Sequence, residues 1–271
     1  MLLDTHCHLT HERFGDDLVE VLQRARGAGV QGIVGIASEL DDALAVQAMI
    51  AMLRQMADEA GPLPRIWGTV GVHPHEAAAA PAELGLRIGE ILESHPEIVA
   101  IGECGLDFHY DFSPPEVQRR VFRTQIEVAA SHNLPLVVHC RSAEMEMSSW
   151  IQEAATAGVR GVLHCFPGDE ALLATALEAG WLVSFTGMVT FSSFSGEVAV
   201  RSVPFDRYML ETDGPYLAPI PLRGKRNEPA LLTFTRDRIA ELRGVSADRV
   251  EEETTSAARS FFSLDLPSAD S

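Results

Sequence analysis

Leu2-Leu3-Asp4-Thr5-His6-Cys7-His8-Leu9-Thr10 decides the fold: a short apolar run ends in two histidines that flank a cysteine. In a doubly wound nucleotide-binding sheet the first strand runs into a glycine-rich phosphate loop. This chain has His6-Cys7-His8 there instead, which turns the reading toward the barrel. Further strand-like runs follow at Ile33-Val34-Gly35-Ile36, 66–72, 98–102, Leu136-Val137-Val138, Gly161-Val162-Leu163, 181–185 and 207–210. Amphipathic segments lie between them. Leu18, Val21, Leu22 and Ala25 keep the spacing that gives a helix one apolar stripe. Val117, Val121, Phe122 and Ile126 repeat at helical spacing after Ser113-Pro114-Pro115, a helix start because proline's fixed φ suits the first turn. Leu172, Leu173, Ala176 and Leu177 precede Gly180, a helix stop. Helical patterns close the chain around 231–242 and 250–262. Eight strand–helix units fit the roughly 250 residues of a TIM (β/α)8 barrel. No linker, low-complexity tract or composition shift divides the chain. One α/β domain is therefore expected over 1–263, with 264–271 a flexible tail.

The composition narrows the function. The 271 residues carry a formal net charge of −18 and are 46% hydrophobic. A protein that grips long duplex through a broad face is normally basic. An anionic substrate must here be drawn by something local, a metal ion or a few placed arginines, and a strand end or single strand in a narrow site fits that balance. No apolar run reaches the length of a membrane span. Met1-Leu2-Leu3 before Asp4 offers neither the basic region nor the apolar core of a signal peptide. A cytoplasmic protein is expected, with no membrane attachment and no obligate protein partner evident. The four cysteines then read as reduced thiols rather than disulfides. Of the 21 basic residues only Lys225 is a lysine, beyond the eighth strand. That excludes a carboxylated lysine bridging two metals from the fourth strand, and a Schiff-base lysine on any strand.

Catalytic groups of a barrel project from the C-terminal ends of its strands, and the unusual polar residues of this chain fall there. His6 and His8 close the first run, His73 and His75 the third, Glu103 the fourth, His139 the fifth, His164 the sixth and Asp213 the eighth. A single histidine after an apolar run is most often structural, and a single carboxylate there can cap the next helix. Convergence of so many strand ends on one face argues for a site. H-x-H on a strand points both rings one way, because side chains alternate with period two. Imidazole and carboxylate together suit a divalent ion, and six ligands exceed what one catalytic ion with an open position needs. Two ions sharing one carboxylate is the simplest solution, and such pairs suit hydrolysis of phosphate esters. Cys7, Cys104, Cys140 and Cys165 each follow a candidate ligand directly. Alternation turns their thiols outward, into the layer between sheet and helices, as small buried hydrophobes.

In order and spacing, several motifs resemble those of the TatD-type metal-dependent deoxyribonucleases of the amidohydrolase superfamily. They are Asp4-Thr5-His6-Cys7-His8-Leu9, Gly71-Val72-His73-Pro74-His75, IGECGLDFH from Ile101, His139-Cys140-Arg141 and Leu163-His164-Cys165-Phe166. Ser184-Phe185-Thr186-Gly187, LETDGPYLAP from Leu210 and Arg226-Asn227-Glu228-Pro229 complete the set, over nearly the whole chain. The resemblance implies a TIM barrel with two divalent ions, Mg, Mn or Zn. It places one ion on His6, His8 and Asp213 and the other on His139 and His164, with Glu103 bridging. It also implies hydrolysis of phosphodiester bonds in DNA, often from a 3′ end.

Within that frame Asp213 would also orient, or accept the proton of, the attacking water, while Glu103 sets the separation of the ions. His73 is the remaining candidate for contact with the scissile phosphate or leaving group. Asp107, His109 and Arg141 follow the fourth and fifth strands, within reach of substrate or of the ligands. Arg223, Lys225 and Arg226 form a basic cluster after the eighth strand, where Lys225 and Arg226 are expected to bind phosphate and Asn227 and Glu228 to hold the loop. The competing reading is a hydrolase of the same fold acting on a carboxylic ester or amide, such as an aminoacyl-tRNA ester or a small cyclic amide. A non-catalytic metal protein is disfavoured by the open ligand set and by Asp213.

Overall fold

The first strand is β1 (Leu2–Cys7), and the structure, a computed structural model, describes residues 1–266 of the chain. After it come α1 (Leu18–Gly27), β2 (Val30–Gly35), α2 (Leu40–Gln55), α3 (Ala57–Ala60), β3 (Arg65–Val70) and α4 (Leu84–Ser94). The middle of the chain gives β4 (Ile98–Asp107), α5 (Pro115–His132), β5 (Leu136–Arg141), α6 (Glu144–Thr156), β6 (Gly161–Leu163) and α7 (Glu170–Glu178). The last part gives β7 (Leu182–Phe185), α8 (Glu197–Ser202), β8 (Tyr208–Leu210), α9 (Leu232–Arg243) and α10 (Ala247–Phe262). Neighbouring strands pair in parallel in the order β1 to β8, as the sequence predicts. Pro114 caps α5 and Asn133 ends it in a left-handed conformation, where a short polar side chain is tolerated.

The inside of the barrel is layered. Leu3, Val34, Trp67, Ala100, Val137, Val162, Leu182 and Met209, one from each strand, form an apolar cluster closed from below by Ala257, Ala258, Phe261 and Phe262 of α10. One residue on, Val138, Leu163, Val183 and Leu210 belong instead to the larger cluster between sheet and helices. The next residue points inward again. In β5 to β8 that residue is His139, His164, Ser184 and Glu211, so a polar layer sits directly on the apolar one.

β1 and β4 reach the same layer by breaking their registers. Pairing of β1 with β2 shifts between Asp4 and Cys7, and pairing of β4 with β5 shifts between Ile101 and Cys104. Such bulges re-aim a side chain. On either side of Glu103 the backbone lies so close to β5 that only glycine fits. Gly102 has φ 147°, and a Cβ there would stand 2.6 Å from the Val137 carbonyl oxygen; one on Gly105, φ 126°, would run into that of His139.

The seam between β1 and β8 has only one parallel bridge, Cys7 to Gly214. Polar contacts complete it. The Thr212 N–H and hydroxyl donate to the buried Asp4 carboxylate at 2.9 and 2.6 Å, and the Thr5 hydroxyl donates to the Leu210 carbonyl at 3.0 Å. The Asp213 N–H donates to the His6 carbonyl at 2.9 Å and the His8 N–H to that of Gly214 at 2.8 Å.

The end of the chain departs from expectation. Leu264 and Leu266, assigned from sequence to a flexible tail, are buried in the lower apolar cluster. The Leu264 N–H donates to the Arg259 carbonyl at 3.0 Å, and the Arg259 guanidinium donates to the Leu266 carbonyl at 2.9 Å. The rest of that expectation, residues 267–271, lies outside the described residues.

Candidate metal centre

Glu103, 2% exposed, stands at the middle of the polar layer and divides its two oxygens between two groups of ligands. Its Oε2 lies 3.4 Å from His6 Nε2 and 3.7 Å from His8 Nε2. Asp213 Oδ1 lies 3.7 and 3.5 Å from the same two nitrogens, which are 3.3 Å from each other. Glu103 Oε1 lies 2.8 Å from His164 Nε2, 3.1 Å from His139 Nδ1 and 3.5 Å from His73 Nε2. His139 Nδ1 and His164 Nε2 are 3.2 Å apart. The six sequence-predicted ligands thus converge in two groups joined by one carboxylate, and they fit a cation. Four ligands at 2.0–2.1 Å around one ion stand roughly 3.4 Å from each other, close to these separations. The donor set of imidazole nitrogen and carboxylate oxygen is that of a borderline divalent metal.

The protonation pattern agrees. Burial alone would push the Glu103 carboxyl up, but His164, His73 and His6 around it hold it well below the usual range. Burial likewise opposes a charge on His164, yet Glu103 and Glu211 raise it well above an ordinary histidine. The carboxylates likewise raise His8 and His139 against their burial, while burial holds His6 and His73 low, so the negative charge of the layer is one that a divalent cation would balance.

Among the described residues, carboxylates stand behind three of the candidate ligands, with a hydrogen bond only at His139. His139 turns Nε2 to Asp107 Oδ2 at 3.2 Å, leaving Nδ1 for a metal. His164 Nδ1 lies 3.4 Å from Glu211 Oε1, and His6 Nδ1 lies 4.0 Å from Glu211 Oε2. Glu211 is itself fixed by the Cys165 N–H at 2.6 Å and the Ser184 hydroxyl at 2.5 Å. Carboxylates behind ligating histidines set their tautomer and raise their basicity. Sequence reasoning picked out Asp213 and passed over Glu211; the signal was the spacing Leu210-Glu211-Thr212-Asp213, which continues the inward alternation of β8.

His73 accepts the His75 N–H on Nδ1 at 3.1 Å, so its proton sits on Nε2, facing Glu103. Burial pushes its pKa well below the ordinary value, which keeps the ring neutral. His75 does not join the ligands and turns instead to Asp107 Oδ2 at 2.8 Å.

A cavity of about 710 Å³ opens over the ligands, with Arg141, Tyr110 and Tyr216 in its wall. Three residues expected to bind substrate are not brought to that wall. Arg226 donates to Asp17 at 2.6 and 2.7 Å and to the Arg13 carbonyl at 2.7 Å, which ties the loop after β8 to α1 and uses up its fork. Lys225 beside it is exposed, and the exposed His109 packs its ring on Tyr110 with centroids 4.6 Å apart. The cysteine expectation divides as well. Cys7 and Cys104 are buried in the layer outside the barrel. Cys140, packed against that layer, also touches the cavity, and Cys165 lines it. Cys165 lies beyond the end of β6 with φ 48°, so strand alternation no longer decides where its thiol points. Burial pushes both thiols up to about 12, and no cysteine enters a metal-competent group among the described residues.

A family model described as TatD related DNase matches residues 3–263. The uncharacterized metal-dependent hydrolase YabD of Bacillus subtilis is 36% identical over 265 residues, covering 97% of this chain and 100% of the relative. A protein of Erwinia amylovora named 3′-5′ ssDNA/RNA exonuclease TatD is 36% identical over 269 residues, with the same coverage. Among solved structures, the TatD homolog YjjV of Escherichia coli superposes with a TM-score of 0.86 at 24% identity, over 97% of this chain and 98% of that one. At that identity the likeness shows the barrel fold alone.

Proposed function

The chain belongs to the TatD-related DNase family, and on that basis we propose that it is a divalent-metal-dependent exonuclease that removes nucleotides from the 3′ end of single-stranded DNA. The observation that carries the reading is Glu103, whose two oxygens face two separate ligand groups. His6, His8 and Asp213 would hold one ion, His139 and His164 the other, and Glu103 both, the ions being Mg, Mn or Zn. Bound there, such a pair lowers the pKa of a water and draws charge from the phosphate.

The chain's own residues supply the rest. Asp213 is less buried than the other carboxylates of the centre and borders the cavity, so its second oxygen can accept a proton from the attacking water. His73 presents a neutral Nε2–H beside Glu103, a donor suited to a phosphate oxygen or the leaving group. Arg141 offers a guanidinium at the rim. The catalytic unit is taken as 1–263. No described helix is long and apolar enough to cross a membrane, and a cytoplasmic site of action belongs to this proposal.

The test is release of nucleotides from 3′-labelled single-stranded DNA, with RNA and small esters in parallel, under defined metals. Cleavage of DNA that a chelator stops and Mg²⁺ or Mn²⁺ restores is expected. Asp213→Asn should lower kcat by about 10²-fold or more with the circular dichroism unchanged, and Glu103→Ala should abolish turnover. Metal-loaded protein that leaves DNA intact but hydrolyses an ester or amide would overturn the nuclease reading.

A further inference from the structure

Beside the metal ligands, the segment after β4 holds two aromatic rings in solvent. Tyr110 is 40% and Phe112 63% exposed. Their centroids lie 5.3 Å apart with the rings tilted by 36°, and Phe112 lies 4.7 Å from the ring of His75. Arg141, at the end of β5, sets its guanidinium 4.8 Å from the Tyr110 ring centre and makes no ion pair among the described residues.

This aromatic patch is tied to the centre. Asp107, fully buried, accepts the His109 and Tyr110 N–H groups on Oδ1 at 2.8 and 3.2 Å. Its Oδ2 faces His75 Nε2 at 2.8 Å and His139 Nε2 at 3.2 Å. One carboxylate therefore fixes the patch and a candidate metal ligand relative to each other. Tyr110 and Arg141 line the same cavity as Glu103 and His139.

We propose that Tyr110 and Phe112 are a stacking platform for an unpaired base of the substrate strand, with Arg141 binding the phosphate next to it; this rests on the nuclease reading. Every base has a π face, so stacking on aromatic rings binds single strands with little regard to sequence. A guanidinium lying over a ring keeps its in-plane donors free at its edge, where a phosphate can take them in pairs. A base inside a duplex has its faces covered by its neighbours and cannot lie on the platform. The platform thereby selects single strands and frayed ends. It also lets a chain of net charge −18 hold a polyanion without a broad basic face.

The test is binding of 5′-fluorescein single-stranded oligonucleotides with phosphorothioate linkages, followed by anisotropy with the divalent ion present. One oligonucleotide carries ordinary nucleotides at its last two 3′ positions and the other abasic residues. The wild type should bind the first about five- to 150-fold more tightly. The Tyr110→Ala/Phe112→Ala double variant should bind both at the abasic level, and Tyr110→Phe should keep the preference. A wild type with no preference, for lack of binding or for equal binding, overturns the platform, as does a double variant that retains it. Cleavage is scored separately. Base preference without cleavage of any nucleic acid keeps the platform and removes the nuclease reading, while cleavage without base preference does the reverse.

Discussion

At the scale of single residues, Glu211 shows how one side chain can serve both groups of candidate ligands from behind. Burial opposes its ionisation, but His164 and His6 beside it hold its pKa below the usual carboxylate value, so it stays charged. A charged Glu211, 4.0 Å from His6 Nδ1 and 3.4 Å from His164 Nδ1, favours protons on those atoms and leaves both Nε2 lone pairs for metal. Since those histidines belong to different groups, Glu211→Gln should weaken binding at both positions together, by about 10- to 100-fold. Titration of the chelated protein with Zn²⁺ or Mn²⁺, read by calorimetry, measures this directly. Affinities within twofold of wild type at both positions would show that Glu211 only packs. The convergence of the six candidate ligands was legible in the sequence because each is an ionisable group closing an apolar run. Glu211 was not, because it precedes a more conspicuous aspartate and acts only through neighbours that topology supplies.

At the scale of elements, regular strands were predictable and their irregularities were not. Alternation placed His139 in β5 and His164 after β6 on the inner face, each one step beyond an outward apolar residue. It could not foresee the register shifts that aim His6 and Glu103 inward, or the left-handed turn at Cys165. The basic run at 223–226 looked like a phosphate site because a salt-bridge partner over 200 residues away, Asp17, leaves no local trace. The β1–β8 seam is of the same kind, and it carries a pH dependence. Burial outweighs the Thr212 hydrogen bonds and raises the Asp4 pKa to about 7 from 3.8. A carboxyl whose pKa is raised on folding contributes its full stability below the unfolded value and loses it as pH climbs through the folded one. The loss here spans pH 4 to 7 and amounts to about 4 kcal/mol at most. In chelated protein, the stability of the wild type relative to Asp4→Asn should therefore fall across that window in urea titrations. A flat difference from pH 4 to 8 would mean that Asp4 is ionised throughout and that the seam is held by charge.

At the scale of the whole molecule, the barrel separates its chemistry from its closure. The candidate ligands, the cavity over them and Tyr110 in its wall occupy the C-terminal face of the strands, while α10 and the segment after it seal the opposite mouth. Leu264 and Leu266 are both 6% exposed and complete that seal. Burying a leucine contributes about 1.5–3 kcal/mol, so deletion of everything after Ser263 should cost on the order of 3–6 kcal/mol. For a chain of this size each kcal/mol is worth about 2–4 °C, and the thermal midpoint should drop by roughly 10 °C. Because one apolar layer lies between the two leucines and the candidate ligands, kcat/KM of the truncated protein at 20 °C should stay within twofold of wild type. The two readouts separate the possibilities. An unchanged midpoint in calorimetry would make the two leucines passengers on the surface of α10, and a lost activity in a still-folded protein would mean that the two ends of the barrel are coupled. Such coupling has no visible route: between seal and ligands lies one apolar layer of eight residues, one from each strand, which meets α10 below and the polar layer above. A close-packed layer of that kind resists small displacements, so a loss of the seal should be felt as unfolding of the whole barrel rather than as a shift of the ligands within it.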